Sequence, residues 1–139
     1  MKVLVDTSVW SLALRRKSEA LNAEEKQIVA ELSELIREGR AAIIGLIRRE
    51  LLSGVKTNEQ YEKLRLHLGS FPDEPVNTAN YEDAAKFSNQ CRAKGIAVFA
   101  VDILICAVAI GRSWSIFTTD PDFTMYRKIL PIQLHRPRK

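Results

Sequence analysis

Lys2-Val3-Leu4-Val5-Asp6-Thr7-Ser8-Val9-Trp10 opens the chain as a short, branched apolar strand that ends in an acid and runs straight into a helical pattern. A strand without polar alternation is buried on both faces, as in parallel sheets covered by helices. Thr7 and Ser8 stand where hydroxyl caps precede a helix through Val9-Trp10-Ser11-Leu12-Ala13-Leu14. Asp6 therefore falls at the carboxyl end of a buried strand, the edge at which open α/β sheets gather their ligands.

Working outward, the same alternation recurs. Asn22 with Glu25 forms a capping pair, and Ile28, Leu32, Leu35 and Ile36 repeat at helical spacing until Gly39. Ala41-Ala42-Ile43-Ile44 is a second short buried strand, and a helix from Leu46 to Ser53 follows, closed by Gly54. Thr57 with Gln60 opens another helix in which Tyr61, Leu64 and Leu68 share a face. Residues 69–75 form a connection rather than a domain linker. Ala84, Phe87 and Cys91 mark a helix from about Asn80 to Lys94, stopped by Gly95, and Ile96 to Ala100 lead into one from Asp102 to Ile110. Ser115 to Thr118 is a third strand, Asp120-Pro121 pairs an acceptor with a proline suited to a helix start, and Ile132-Gln133-Leu134 reads as a final edge strand. This alternation predicts one α/β domain over residues 1–139, a mostly parallel central sheet with helices on both faces.

With 139 residues, 46% of them hydrophobic, the chain suffices for one real core and falls short of two. An apolar run of only three residues, Val3 to Val5, leads to Asp6, too short for a signal-peptide core, and the longest apolar stretch, Ile103 to Ile110, falls well below a membrane span of about 20 residues. A cytoplasmic protein with no membrane association is expected. Cys91 and Cys106 lack metal-binding spacing and read as small core residues. Net charge is +4, and the basic residues cluster at Arg15-Arg16-Lys17, Arg48-Arg49, Arg127-Lys128 and Arg136 with Arg138-Lys139. Basic surface around acidic segments suits a phosphate backbone, so Arg15, Arg16, Lys17, Arg48 and Arg49 are candidate nucleic-acid contacts.

The acids carry the chemistry. Asp6, Glu50, Asp102, Asp120 and Asp122 each lie beside an apolar run, where an ionised carboxylate needs a partner, a cation or a raised pKa. Taken singly, Asp6 could be a helix cap, Asp102 a first-turn acid facing a helix dipole, and Asp120 a cap before Pro121. Glu50, mid-helix among leucine and isoleucine, resists such a reading most. Brought together, the acids would hold a divalent ion, and an all-oxygen set favours magnesium or manganese over zinc. His67 and His135 are too few and too scattered for a zinc site.

This order of motifs resembles the PIN-domain family of ribonucleases, most closely the toxin half of VapBC toxin–antitoxin pairs. Val5-Asp6-Thr7-Ser8-Val9-Trp10 is similar to the family's opening motif, and Arg49-Glu50-Leu51-Leu52-Ser53-Gly54 to its Glu-Leu-x-x-Gly segment. Asp102-Ile103-Leu104-Ile105-Cys106-Ala107-Val108-Ala109 resembles its Asp-x-x-Ile-Ala-Ala-x-Ala helix, with cysteine where alanine is usual. Thr118-Thr119-Asp120-Pro121-Asp122-Phe123 resembles its terminal acidic motif. The resemblance implies a Mg2+- or Mn2+-dependent endoribonuclease, a homodimer held by a VapB-type antitoxin. It also implies a metal site of Asp6, Glu50, Asp102 and Asp120, with Asp122 as a fifth carboxylate and Thr7, Ser8 and Thr118 as supporting hydrogen-bonders.

Three rivals differ from this reading. A haloacid-dehalogenase-like phosphatase needs an aspartate two residues after the first, where Ser8 stands. A non-catalytic basic nucleic-acid-binding module leaves the acids without a task. An RNA-processing PIN nuclease without an antitoxin would differ only in its genetic neighbourhood.

Overall fold

The computed structural model describes residues 1–138. Three short parallel strands, β1 (Val3–Val5), β2 (Ala41–Ala42) and β3 (Ser115–Phe117), form a sheet in the order β2-β1-β3. Parallel neighbours need crossovers, and helices supply them. The helices are α1 (Thr7–Leu14), α2 (Ala23–Arg37), α3 (Gly45–Leu52), α4 (Asn58–Leu68), α5 (Thr78–Ala93), α6 (Ala100–Arg112) and α7 (Asp122–Tyr126). α1 packs against α2 and α3, and α5 pairs with α6, which also meets β3. Mixed α/β architecture around a parallel sheet is the expected class.

β1 is the centre of the molecule. Val3, Leu4 and Val5 are at most 1% exposed, as an unbroken apolar strand flanked on both sides requires. Its ladder to β3 runs one residue past the strand, since the Asp6 amide donates to the Phe117 carbonyl at 2.9 Å. The Asp6 carbonyl then accepts from the amides of Val9 and Trp10 and so starts α1. Strand end, helix start and acid are one residue. Trp10 closes the corner from beneath, its buried indole Nε1 donating to the Val5 carbonyl at 3.0 Å.

Several local expectations hold in detail. Asn22 and Glu25 form a reciprocal capping box, and Thr57 accepts from the Gln60 amide. Cys91 and Cys106 are free and buried, and burial pushes both thiols up. Other elements differ from the reading. β2 is two residues long, because Ile43 leaves the strand to bridge Asp73 of the following connection. α6 begins two residues before Asp102, which occupies its first turn. α7 starts at Asp122 rather than Pro121. Residues 132–134 form no regular strand. Leu134 makes a single parallel bridge to Ile116, with the Ile116 amide donating to the Gln133 carbonyl and the His135 amide to the Ile116 carbonyl.

Candidate metal site

The carboxyl ends of β1 and β3 and the N-terminal turns of α6 and α7 meet at one edge, and four aspartates arrive there from three separate segments. One carboxylate oxygen each from Asp102, Asp120 and Asp122 lies within 4.8 Å of the others. Donors around an octahedral ion with bonds of 2.0–2.1 Å stand about 3 to 4.2 Å apart, so a small closing movement meets that requirement. All donors are oxygen, the chemistry of a hard cation. Among the described residues none of Asp6, Asp102, Asp120 and Asp122 makes an ion pair with a lysine, arginine or histidine. No described side chain pairs a positive charge with this cluster, and the all-oxygen donor set fits a divalent ion.

Asp6 and Glu50 stand outside the three-atom group. Ser8 Oγ and Thr118 Oγ1 both donate to Asp6 Oδ2 at 2.8 Å. Thr118 Oγ1 in turn accepts from the Asp120 amide at 3.0 Å, and Ser8 Oγ from the Thr119 amide at 3.0 Å. Thr7 Oγ1 donates to Glu50 Oε1 at 2.6 Å and so ties α3 to the end of β1. The expected capping role of Thr7 and Ser8 is therefore incorrect. Both hydroxyls turn to carboxylates instead, and α1 has no side-chain cap.

Asp6 is 5% exposed, and burial raises its carboxyl above the ordinary range against the opposing pull of Thr118 and Ser8. The neighbouring amides of Thr7 and Ser8 also favour its charge, yet neither is capped by it in hydrogen-bond geometry. A capping role thus does not account for Asp6. For Asp120 it accounts in part, since Oδ1 accepts from the Asp122 amide at 2.9 Å just before α7. Asp102 is pushed up to about 6, first by burial and then by the charges of Asp6, Asp120 and Asp122, while a hydrogen bond from Tyr126 works the other way. Neighbouring like charges that raise the Asp102 pKa mark a crowded anionic site.

Tyr126 carries no signal in the sequence that would single it out. Its ring is fully buried, and its hydroxyl donates to Asp102 Oδ2 at 2.8 Å. The only hint in the chain is an aromatic residue four positions after Asp122. The basic candidates divide. Arg15, Lys17 and Arg49 are exposed, and Arg16 pairs with Glu25 at 3.1 Å. Arg48 is committed to the fold, donating to Asp73 at 2.8 Å, to the Leu68 carbonyl at 2.9 Å and to the Phe71 carbonyl.

Residues 3–129 match the PIN domain family. No curated protein matches the sequence. Among solved structures, FitAcB of Neisseria gonorrhoeae superposes with a TM-score of 0.76 at 22% identity, covering 97% of each chain. VapBC2 of Rickettsia felis, solved with a DNA fragment from its promoter, gives 0.76 at 17% identity over 97% of this chain and 98% of that one. VapBC-5 of Mycobacterium tuberculosis, a member of the VapBC family of toxin–antitoxin systems, gives 0.67 at 20% identity with the same coverage. At these identities the likeness is one of fold.

Proposed function

Because the chain belongs to the PIN-domain family, we propose that it is a metal-dependent endoribonuclease that acts as the toxin of a type II toxin–antitoxin pair. The observation that carries the nuclease reading is the convergence of Asp102, Asp120 and Asp122 on one small volume beside buried Asp6, with no cationic side chain among the described residues paired to them. Asp102, Asp120 and Asp122 would hold Mg2+ or Mn2+, with Asp6 and Glu50 completing the acidic set. When bound, such an ion supplies an attacking water acidified toward neutral pH and positive charge against the pentacovalent phosphorane-like transition state.

The chain's own groups do the rest. Ser8 and Thr118 fix Asp6 through Oδ2, and Thr7 fixes Glu50 through Oε1, so each carboxylate keeps its second oxygen for the site. Glu50 or Asp6 receives the proton of the attacking water. Exposed Arg15, Lys17 and Arg49 draw the RNA backbone toward the acidic centre, as a basic rim does for any polyanion.

The toxin assignment has its own support. The solved structures of matching fold include toxin–antitoxin complexes. A cleft of about 520 Å³ lies beside α1 and α4, with Ala13, Leu14, Val55 and Leu64 among its walls. Leu68, on the same helix face as Leu64, is fully buried and belongs to the core. An antitoxin segment seated there would reach the carboxylates with an arginine or lysine, and its charge would compete with the ion. A homodimer completes the assembly by the same family relation.

The test is cleavage of an end-labelled RNA pool by the purified full chain. Cleavage should stop in EDTA, return with Mg2+ or Mn2+, and be lost in Asp6→Asn and Asp102→Asn proteins of unchanged fold. Undiminished cleavage in excess chelator would remove the metal mechanism. Expression of the chain alone should arrest growth, and the product of the adjacent reading frame should rescue growth and copurify with it. Full viability with no copurifying partner would leave a processing nuclease in its place.

A further inference from the structure

Asp6, Glu50, Asp120 and Asp102 each have one oxygen held by the chain. Ser8 and Thr118 hold Asp6 Oδ2, Thr7 holds Glu50 Oε1, and the Asp122 amide holds Asp120 Oδ1. For Asp102 the holder is the phenol of Tyr126, on a different helix 24 residues further along the chain. We propose that Tyr126 is the positioning residue of the site: its hydroxyl locks Asp102 with Oδ2 turned to the protein, leaving the other oxygen free for the divalent ion.

The geometry favours this task over a purely structural one. Tyr126 lies at the end of α7, whose first residue is Asp122, so the same five-residue helix carries one carboxylate of the cluster and the clamp on another. Its ring has no exposed surface and packs edge-on against Phe123 at 5.3 Å between centroids, which fixes the phenol before any ligand arrives. A buried tyrosine hydroxyl needs a partner, but any carbonyl would serve. Here it has a carboxylate of a cluster whose charges already repel one another. Burial and the Asp102 charge both push the phenol's own pKa up, so it remains a donor throughout the physiological range. Asp102 sits half-buried in the first turn of α6, and the Tyr126 bond is what restrains its χ rotation. Groups that orient the ligands of a metal typically change metal affinity by about 10- to 100-fold when removed.

The inference rests on the metal-binding reading, and the experiment separates the two. Mn2+ binding to the full chain is measured by calorimetry or by the loss of free-ion paramagnetic resonance, without RNA. Tyr126→Phe should weaken Mn2+ binding by about tenfold or more with an unaltered circular dichroism spectrum. Should Tyr126→Phe fail to fold, two isosteric replacements at position 126 decide the matter. p-Aminophenylalanine, which keeps a donor, should restore affinity to within a few-fold of wild type, and p-methylphenylalanine, which fills the space without one, should not. Equal Mn2+ affinity of wild type and Tyr126→Phe, or equal affinity of the two replacements, would overturn the positioning role while leaving the metal site intact. A wild-type chain that binds no Mn2+ would overturn both.

Discussion

Asp102→Asn in the metal-free protein is the most informative single change, because charge crowding and helix capping predict opposite signs for it. The native carboxyl is pushed up from 3.8 to about 6 by burial and by Asp6, Asp120 and Asp122. Its charged form is therefore disfavoured in the fold, and a rise of about 2.2 in pKa corresponds to roughly 3 kcal/mol at 1.36 kcal/mol per unit. Asp102 is only half-buried, so solvent screening reduces this to roughly 1–2 kcal/mol. The α6 dipole recovers about 0.3–1 kcal/mol of that by favouring a first-turn negative charge. Asparagine keeps an oxygen to accept from Tyr126 and removes the charge, so the variant should be more stable than wild type by about 1 kcal/mol at pH 7.5 in EDTA.

The sign of the pH dependence follows from the same shift. A carboxyl raised on folding holds its proton in the native state after the unfolded chain has lost it, so wild-type stability falls as pH rises from about 4 to about 6. The asparagine that replaces it cannot titrate. The stability difference between variant and wild type should thus be near zero below pH 4, grow across that window and stay level above it. Urea unfolding of both proteins in EDTA at intervals from pH 4 to 8 measures this directly. A variant less stable than wild type by about 1 kcal/mol or more at pH 7.5 would refute the reasoning and make the first-turn charge of Asp102 a net stabiliser of α6.

Three further outcomes follow from the geometry. Arg48→Ala should cost about 2–3 kcal/mol in urea unfolding while leaving RNA cleavage per folded molecule unchanged, since its guanidinium serves Asp73 and two carbonyls; selective loss of RNA affinity at full stability would instead make it a substrate contact. Arg15→Ala with Lys17→Ala should weaken RNA binding alike for all sequences and reduce the slope of log affinity against log salt by about 1 for each phosphate no longer neutralised, and an unchanged slope would remove these residues from the interface. Glu31→Gln should loosen the C-terminal tail, because Glu31, 5% exposed, accepts from Arg138 at 3.1 Å and contacts His135 Nε2 at 2.6 Å. Hydrogen exchange at the His135 amide, bonded to the Ile116 carbonyl, should speed severalfold, and unaltered exchange would show that the ladder alone holds the tail.

Local chemistry was legible in the chain wherever it was self-contained. The Asn22–Glu25 box and the Thr57 cap involve residues three apart, and the apolar run of β1 needs no partner to declare itself buried. Gly39, Gly54 and Gly95 end their elements with φ of +69°, +81° and +76°, a backbone region where side chains are strained. What misled was polar chemistry with two possible partners. Thr7 and Ser8 are suited to cap a helix, but their hydroxyls found Glu50, 43 residues away, and Asp6, shared with Thr118 from 112 residues away. Arg48 reads as half of a basic doublet, and only the fold brings Asp73 and the Leu68 and Phe71 carbonyls to it. Tyr126 lies on a helix too short to show any periodicity, and nothing local distinguishes its hydroxyl from that of a surface tyrosine.

The placement of the acids explains why their order along the chain is informative although none is decisive alone. A carboxylate at the end of a buried strand is costly unless its lone pairs are used, and at Asp6 the fold supplies two hydroxyls to one oxygen. Those hydroxyls come from α1 and from the turn after β3, so satisfying Asp6 also sets the path of the chain into Asp120 through the Thr118 to Asp120 amide bond. Asp120 then holds the Asp122 amide and starts α7, and α7 delivers Tyr126 to Asp102. These hydrogen bonds and the α7 backbone together therefore form one relay from β1 to α6. No step of that relay neutralises the cluster: every donor in it is a neutral hydroxyl or amide. A network built to stabilise the fold alone would gain more from one well-placed arginine, which would both satisfy the oxygens and cancel their charge. Neutral donors orient the carboxylates and leave the charge standing, which is the arrangement a cation-binding site requires.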